Sequence, residues 1–545
     1  MVTLTRTVTV AAGVFAPGHL GELTQFAPFE LVDDVLARTG AVQRRLRVLP
    51  SRAGVYFLLA LGLFPGLGYR QVWAKLTAGL AGLAVPDPSE KALRDLRRRL
   101  GAAPLKALFE VLAGPLAWPY APGVRFGGLR TVAFDGCSSI RVPDTARNRA
   151  WPGRIRHRAG FAGYPLVHLM TLAETGTRAL LGAVIGCAAD GGEPALARGL
   201  LPLLGQDMLV LADRAFDTNA FLAAVAGTGA GFLVRARATR SPRVAQALPD
   251  GSGLAEIAGL RVRVIEARVL VTGAGGARWG DSYRLITTLT DHRRYPAHRL
   301  VRLYHERWEI ESAYYALRHT LLDGRVLRSG DRPGLEQEIW ALLATYQLLR
   351  MAMTDATATR PGTDPDRASF TVALEAAREQ VITARGIEDP ADPGDTGRIG
   401  RAVLAGLLPA RRARYSARKV KCCTSRWRVR DQNRPELPTR ITRVQITIMV
   451  PPPDRPAARP RGRKGQPPGP RQPRPDTRRD QVTRLMAGQP GRDWAGRDLA
   501  ALLAVKPRNM LTQLAEWTRL GFLAKTGPGR YALPAPASTT ADAGP

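Results

Sequence analysis

The chain has 545 residues, is 45% hydrophobic, and carries a net charge of +33 with only four cysteines. That length and apolar content exclude a disordered chain and allow several domains with their own cores. The charge points to a polyanionic partner. Cys137, Cys187 and the adjacent Cys422 and Cys423 have neither zinc-site spacing nor a disulfide framework. The first twenty residues show no signal-peptide pattern, and the longest apolar run, Val55–Phe64, is too short to span a bilayer. The expectation is a cytoplasmic, nucleoid-associated protein with no membrane partner.

In chain order, residues 1–124 read as a helical domain. Phe29–Arg38, Arg52–Leu63, Tyr69–Leu80 and Glu90–Leu100 carry apolar residues at helical spacing, broken at Phe64-Pro65-Gly66 and Pro86-Asp87-Pro88. Such a domain would be a small DNA-binding bundle or only a packing unit. Residues 125–350 change pattern. Leu129–Phe134 is a short, mostly apolar run that ends at Asp135. Leu166–Leu172 and Ala179–Ile185 read as strands, and Glu193–Leu204 as a helix. Met208–Ala212 is another apolar run, ending at Asp213, followed by a helix over Thr218–Val225 and a strand over Gly231–Val234. This order predicts an α/β, ribonuclease-H-like catalytic core. Residues 236–290 read as a β-rich insertion, in which Gly273-Ala274-Gly275-Gly276 is a hairpin turn rather than a phosphate loop, because no helix follows it. A long helix carrying Glu311 comes next, then another over Glu336–Arg350.

Residues 351–450 read as a basic extension. Between 411 and 480 there are 21 Lys and Arg against 5 Asp and Glu, about half of the excess charge. Residues 451–479 hold ten prolines and read as a linker. Residues 480–535 predict three short helices and a hairpin, the plan of a winged-helix domain. Its third helix would offer Lys506, Arg508, Asn509 and Gln513 to DNA, and Lys525 and Arg530 would sit on the wing. Winged helices also serve as protein-docking modules.

The chemistry gathers around LVRLYHERWEIESAYYALRHTLL. At roughly 100° per residue, Tyr304, Arg307, Glu311 and Arg318 share one helix face about 60° wide. A carboxylate flanked by two guanidiniums and a phenol suits a divalent metal beside a phosphate. Two-metal phosphoryl transfer needs a few carboxylates converging from separate segments, and Asp135, Asp213 and Glu311 meet that need. Each alone has a plainer reading. Asp135-Gly136 is a turn signal, Asp213 a helix cap or surface ion-pair partner, and Glu311 an i,i+4 partner of Arg307. His157 and His168 are weak candidates as bases, and Trp308 and Trp279 read as packing residues.

Three blocks resemble the insertion-element-four family of DDE transposases. Thr131–Gly136 with Val142-Pro143-Asp144-Thr145 and Asn148 resembles its first-aspartate block. Val210–Phe216 resembles its second block. Leu289-Thr290-Asp291 with Tyr304, Arg307 and Glu311 resembles its Tyr-Arg-Glu-Lys signature. The resemblance runs from about residue 20 to about residue 430 and takes in a helical region around Tyr69–Trp73. It implies a cut-and-paste enzyme acting on the terminal inverted repeats of its own element and on target DNA. It implies Asp135, Asp213 and Glu311 as the ligands of Mg²⁺, with Mn²⁺ able to substitute. Tyr304, Arg307, Arg318 and Arg214 would lie against DNA phosphate, in a homodimeric synaptic complex. Arg318 stands where the signature has lysine; it keeps the charge but not the shape. The alternatives are a catalytically inactive, transposase-derived DNA-binding regulator, and a structure-selective nuclease on the same fold.

Overall fold

The computed structural model describes residues 20–45, 48–80, 85–383, 397–410, 441–449 and 478–534, apart from a few single positions and short gaps within them. It divides into two compact units, residues 1–455 and 456–545. The first unit starts with five helices: α1 (Phe29–Arg38), α2 (Ser51–Leu63), α3 (Tyr69–Thr77), α4 (Glu90–Leu100) and α5 (Ala103–Leu112). α2 is apolar nearly all round and is therefore buried nearly all round. α4 starts where Ser89 accepts a hydrogen bond from the Ala92 amide, and stops at Gly101, whose φ of +70° suits glycine.

The α/β part follows as β1 (Leu129–Arg141), β2 (Leu166–Glu174), β3 (Leu180–Gly186), α6 (Glu193–Ala197), β4 (Met208–Ala212), α7 (Asn219–Gly227) and β5 (Gly231–Arg235). The next four strands are β6 (Val244–Ala247), β7 (Gly253–Ile257), β8 (Leu260–Gly273) and β9 (Arg278–Thr287). One sheet takes them in the order β3-β2-β1-β4-β5-β9-β8-β7-β6. β1 pairs antiparallel with β2 but parallel with β4, and β4 pairs parallel with β5. The β-rich segment is not a separate module, because β9 bonds to β5 and extends the same sheet. At the β8–β9 hairpin the Gly276 amide donates to the Gly273 carbonyl at 2.9 Å. A further strand, β10 (Ile441–Met449), pairs along β8.

The strands alternate two faces at period two. Val132, Phe134, Val210 and Ala212 join one core with Phe216, Phe221 and Val225. Ala133, Leu209 and Leu211 face the other way, into a core shared with the helical layer. That layer includes α8 (Ala297–Tyr304), α9 (Trp308–Tyr315), α10 (Arg332–Ala358), α11 (Phe370–Thr383) and α12 (Arg398–Ala405). α10, capped by Asp331 and carrying Pro333 in its first turn, is its axle. Leu343, Ala344 and Tyr346 are fully enclosed in the same cluster as Leu23, Phe57 and Leu105, so the N-terminal helices and α10 share one core. Buried polar pairs cross it: Arg97 donates to Gln337 and Glu338 at 3.0 Å, and the Glu22 carboxylate accepts from the Ile399 amide.

The second unit contains α13 (Arg478–Ala487), β11 (Trp494–Ala495), α14 (Gly496–Leu502), α15 (Pro507–Arg519), β12 (Ala524–Gly527) and β13 (Arg530–Ala532). Its strands form a sheet in the order β11-β13-β12 over a small core of Val482, Leu499, Met510, Leu514 and Tyr531. Among the described residues no helix is long and apolar enough to cross a membrane.

Candidate active site

Strand register brings the first two acids together. The last parallel pair of β1 and β4 is Ala133 with Leu211. Two residues further, past the paired stretch of β1 and β4, Asp135 and Asp213 stand in matching positions, Asp135 still paired with Thr171 of β2. Period two puts both on the face of Ala133 and Leu211, under the helical layer. Asp213 also caps the 3₁₀ turn Arg214–Phe216, accepting from the Ala215 amide at 2.7 Å.

α9 carries Glu311 across that face. It is reached through a 3₁₀ turn, His305–Arg307, and runs on into a π-helical turn, Ala316–Leu321. The helix is therefore not the single regular one that the 100° wheel assumes. Arg307 donates to Glu311 at 3.0 Å; its side chain is only 9% exposed, whereas Glu311 remains 42% exposed. The guanidinium also lies 5.3 Å from the Trp308 ring centroid, so this tryptophan packs against the charge rather than standing free.

The electrostatics tie these groups into one neighbourhood. Burial pushes the Asp135 carboxyl up to about 7; Arg307 opposes this, and the negative charges of Glu311, Glu193 and Asp213 add to it. Burial pushes the Tyr304 phenol up to about 12, against the pull of Arg307 and Arg235. Burial works against the Arg307 cation too, but Tyr304, Asp135, Glu311 and Asp213 outweigh it and hold the guanidinium firmly charged. Arg307 thus pairs with Glu311 and feels the charge of Asp135 and Asp213 as well.

Glu193 is a fourth acid that periodicity did not single out. It begins α6 and lies over Gly136: a Cβ there would meet its carboxyl group at 2.5–2.6 Å. Burial, then Asp213, raise its carboxyl above the ordinary range. Only the packing of α6 on β1 brings it here. Tyr314 was missed as well; its hydroxyl donates to the Asp135 carbonyl at 2.7 Å.

The hard carboxylate oxygens of these acids match a divalent cation in chemical kind. Even so, among the described residues no three His, Cys, Asp or Glu side chains are arranged to hold a metal ion. Glu311 is turned to Arg307 instead. Arg318 lies in the π turn, half-buried, and is not among the main charges acting on Asp135, Tyr304 or Arg307. Arg214 is exposed beside Asp213, and its carbonyl accepts from Arg237 at 3.1 Å. The side chain of His157 lies outside the described residues, and His168 is half-buried on β2, where burial lowers the pKa of its ring against the pull of Asp190. Trp279 sits within β9, opposite Val271, rather than in a turn.

In the second unit Asn509 is exposed on α15, and Gln513 accepts from Arg478 at 3.3 Å. Lys525 and Arg530 are exposed on the β12–β13 hairpin. Lys506 and the Arg508 side chain lie outside the described residues.

A family model described as "Transposase DDE domain" matches residues 127–348, from just before β1 into α10, and so takes in Asp135, Asp213 and Glu311. That match puts the protein in the transposase class of enzymes. A second model, "Insertion element 4 transposase N-terminal", matches residues 17–110. "Transposase InsG for insertion sequence element IS4" of Escherichia coli (strain K12) is 28% identical over 423 residues, 74% of this chain and 92% of that protein. The chain belongs to the insertion-element-4-like family of DDE transposases. Among solved structures, one titled "Cryo-EM structure of piggyBac transposase synaptic complex with hairpin DNA" aligns with a TM-score of 0.38 at 10% identity, covering 74% of this chain and 88% of that one.

Proposed function

We propose that this transposase moves its own insertion sequence by a cut-and-paste route. It cleaves phosphodiester bonds at the terminal inverted repeats and joins the 3′ ends to target DNA. The observation that carries this reading is the register that sets Asp135 beside Asp213 under the helix bearing Arg307 and Glu311. The sheet order β3-β2-β1-β4-β5, antiparallel on one side of β1 and parallel on the other, supports a ribonuclease-H-like core.

Asp135, Asp213 and Glu311 would hold Mg²⁺, or Mn²⁺ in its place. When bound, the metal supplies the charge that activates the attacking oxygen and stabilises the leaving one. The chain's own groups position the DNA. Arg307 is held ready by its carboxylates and, on exchanging Glu311 for a phosphate, keeps a charge-assisted hydrogen bond throughout. The Tyr304 phenol stays protonated and can donate beside it. Arg214 and Arg318 extend the basic lining along the backbone. The exchange would free Glu311 for its metal role.

The second unit reads as a winged helix that engages DNA through Arg508, Asn509 and Gln513 on α15, Lys506 just before it in the chain, and Lys525 and Arg530 on the hairpin. A homodimer holding both ends, in a cytoplasmic, nucleoid-associated complex, completes the proposal. The test is a labelled terminal repeat incubated with protein and Mg²⁺. The parent is expected to cut at the repeat boundary and Asp213→Ala and Glu311→Ala to be silent. Equal cutting by the variants, or cutting with no preference for repeat ends, would overturn the proposal.

A further inference from the structure

α9 is only eight residues long, and it is irregular on both flanks, with a 3₁₀ turn before it and a π turn after it. Because the pitch changes on either side of it, the backbone ladder alone does not fix its rotation as firmly as in a regular helix. Buried polar contacts hold it from two sides. Tyr314 lies three residues beyond Glu311, roughly 60° round the helix. Its phenol is buried and donates to the carbonyl of Asp135 at 2.7 Å, with Thr171 Oγ1 at 2.9 Å and the Leu169 carbonyl at 3.2 Å. One proton serves the nearer carbonyl, and the Thr171 hydroxyl donates back to the phenol oxygen. Glu309 lies two residues before Glu311, roughly 200° away. It is 2% exposed and accepts from Arg178 at 2.5 Å. Arg178 also pairs with Asp366, and its carbonyl accepts from Tyr346 at 2.8 Å. Arg178 holds φ at +61°, a left-handed conformation that a side-chain-bearing residue keeps only when its surroundings compel it.

We infer that Tyr314 is a positioning residue for the reaction. Its phenol, opposed by the buried Arg178–Glu309 pair, locks the helix that carries Glu311 onto the strand that carries Asp135, and so sets the affinity of the acids for a divalent cation. The inference rests on the reading of Asp135, Asp213 and Glu311 as metal-holding acids. A phenylalanine would fill the same space as Tyr314, so packing alone does not require the hydroxyl.

The test uses the full chain and two readouts. The first is Mn²⁺ binding without DNA, followed by electron paramagnetic resonance. The second is the Mg²⁺ concentration that gives half-maximal cleavage of a labelled repeat. Tyr314→Phe is expected to weaken Mn²⁺ binding about 10- to 100-fold and to raise the Mg²⁺ requirement in step, with KM for the DNA unchanged. Thr171→Val, which removes the hydroxyl that supports the phenol, is expected to shift both readouts the same way and decides the matter if Tyr314→Phe does not fold. A purely structural role would lower the melting temperature and leave the metal response alone. Parent-like Mn²⁺ affinity in the variants, beside a parent that binds Mn²⁺, overturns this inference and spares the reading of the acids. A parent that binds no Mn²⁺ overturns both.

Discussion

Asp135→Asn is the most revealing single change. Burial, with Glu311, Glu193 and Asp213 adding to it, raises the Asp135 carboxyl from its ordinary 3.8 to about 7. A raised acid favours the protonated folded state. Its contribution is fully kept below the unfolded value near 3.8 and is lost as pH rises through about 7. At about 1.4 kcal/mol per unit, the ionised side chain costs the metal-free protein at most about 4 kcal/mol above that pH. The residue is only half-buried, so solvent and relaxation should reduce this to about 2 kcal/mol. In urea unfolding with EDTA, Asp135→Asn should therefore be more stable than the parent by about 2 kcal/mol at pH 8.5, with the gap closing as pH falls toward 4. Saturating Mg²⁺ should reverse the order, because the variant lacks one carboxylate. Equal stability of the two proteins at pH 8.5 without metal would refute the reasoning.

Other substitutions probe the rest of the molecule. Arg178→Met leaves Glu309 and Asp366 buried without their cation and should destabilise by about 3–5 kcal/mol in the same assay. Leu343→Ala opens a cavity in the core that α10 shares with the N-terminal helices. It should cost about 2–5 kcal/mol and weaken both together. Lys525→Ala combined with Arg530→Ala should lower affinity for DNA uniformly across sequences and reduce the salt slope of binding by about 2, as measured by anisotropy titrations. An unchanged slope would remove the hairpin from the DNA contact.

Much of the element order was legible in the chain because each signal is local. The helices of the first hundred residues follow apolar spacing and the Pro and Gly breaks, and α2, α4 and the strands Met208–Ala212 and Gly231–Arg235 lie close to where the pattern puts them. The hairpin at Gly273–Gly276 follows from its glycines. Other features depend on partners far along the chain. Ile441–Met449 becomes a strand by pairing with β8, which lies about 170 residues earlier. Trp494–Ala495 is too short to show a period and is a strand only because Tyr531 and Arg530 lie opposite. β1 runs past Asp135 to Arg141, where the apolar run has already ended, because β2 still pairs with it. The wheel from Tyr304 through Arg307 to Glu311 marked groups that do interact, whereas Arg318 lies within the π turn, where a constant angle of roughly 100° per residue no longer holds.

What the amino-acid order alone determined is the chemistry on offer: two acids that each follow an apolar run, a third on a helix, an arginine four residues before the last, and a strongly basic tail. The tertiary structure decided which of these groups feel one another. Asp135 meets Asp213 only through the parallel register of two strands, Glu193 joins them only because α6 crosses β1, and Tyr314 reaches the Asp135 carbonyl only once α9 lies on the sheet. The reason is physical: helix and turn preferences act over a few residues, while charge coupling and desolvation depend on distances that exist only after the layers have packed.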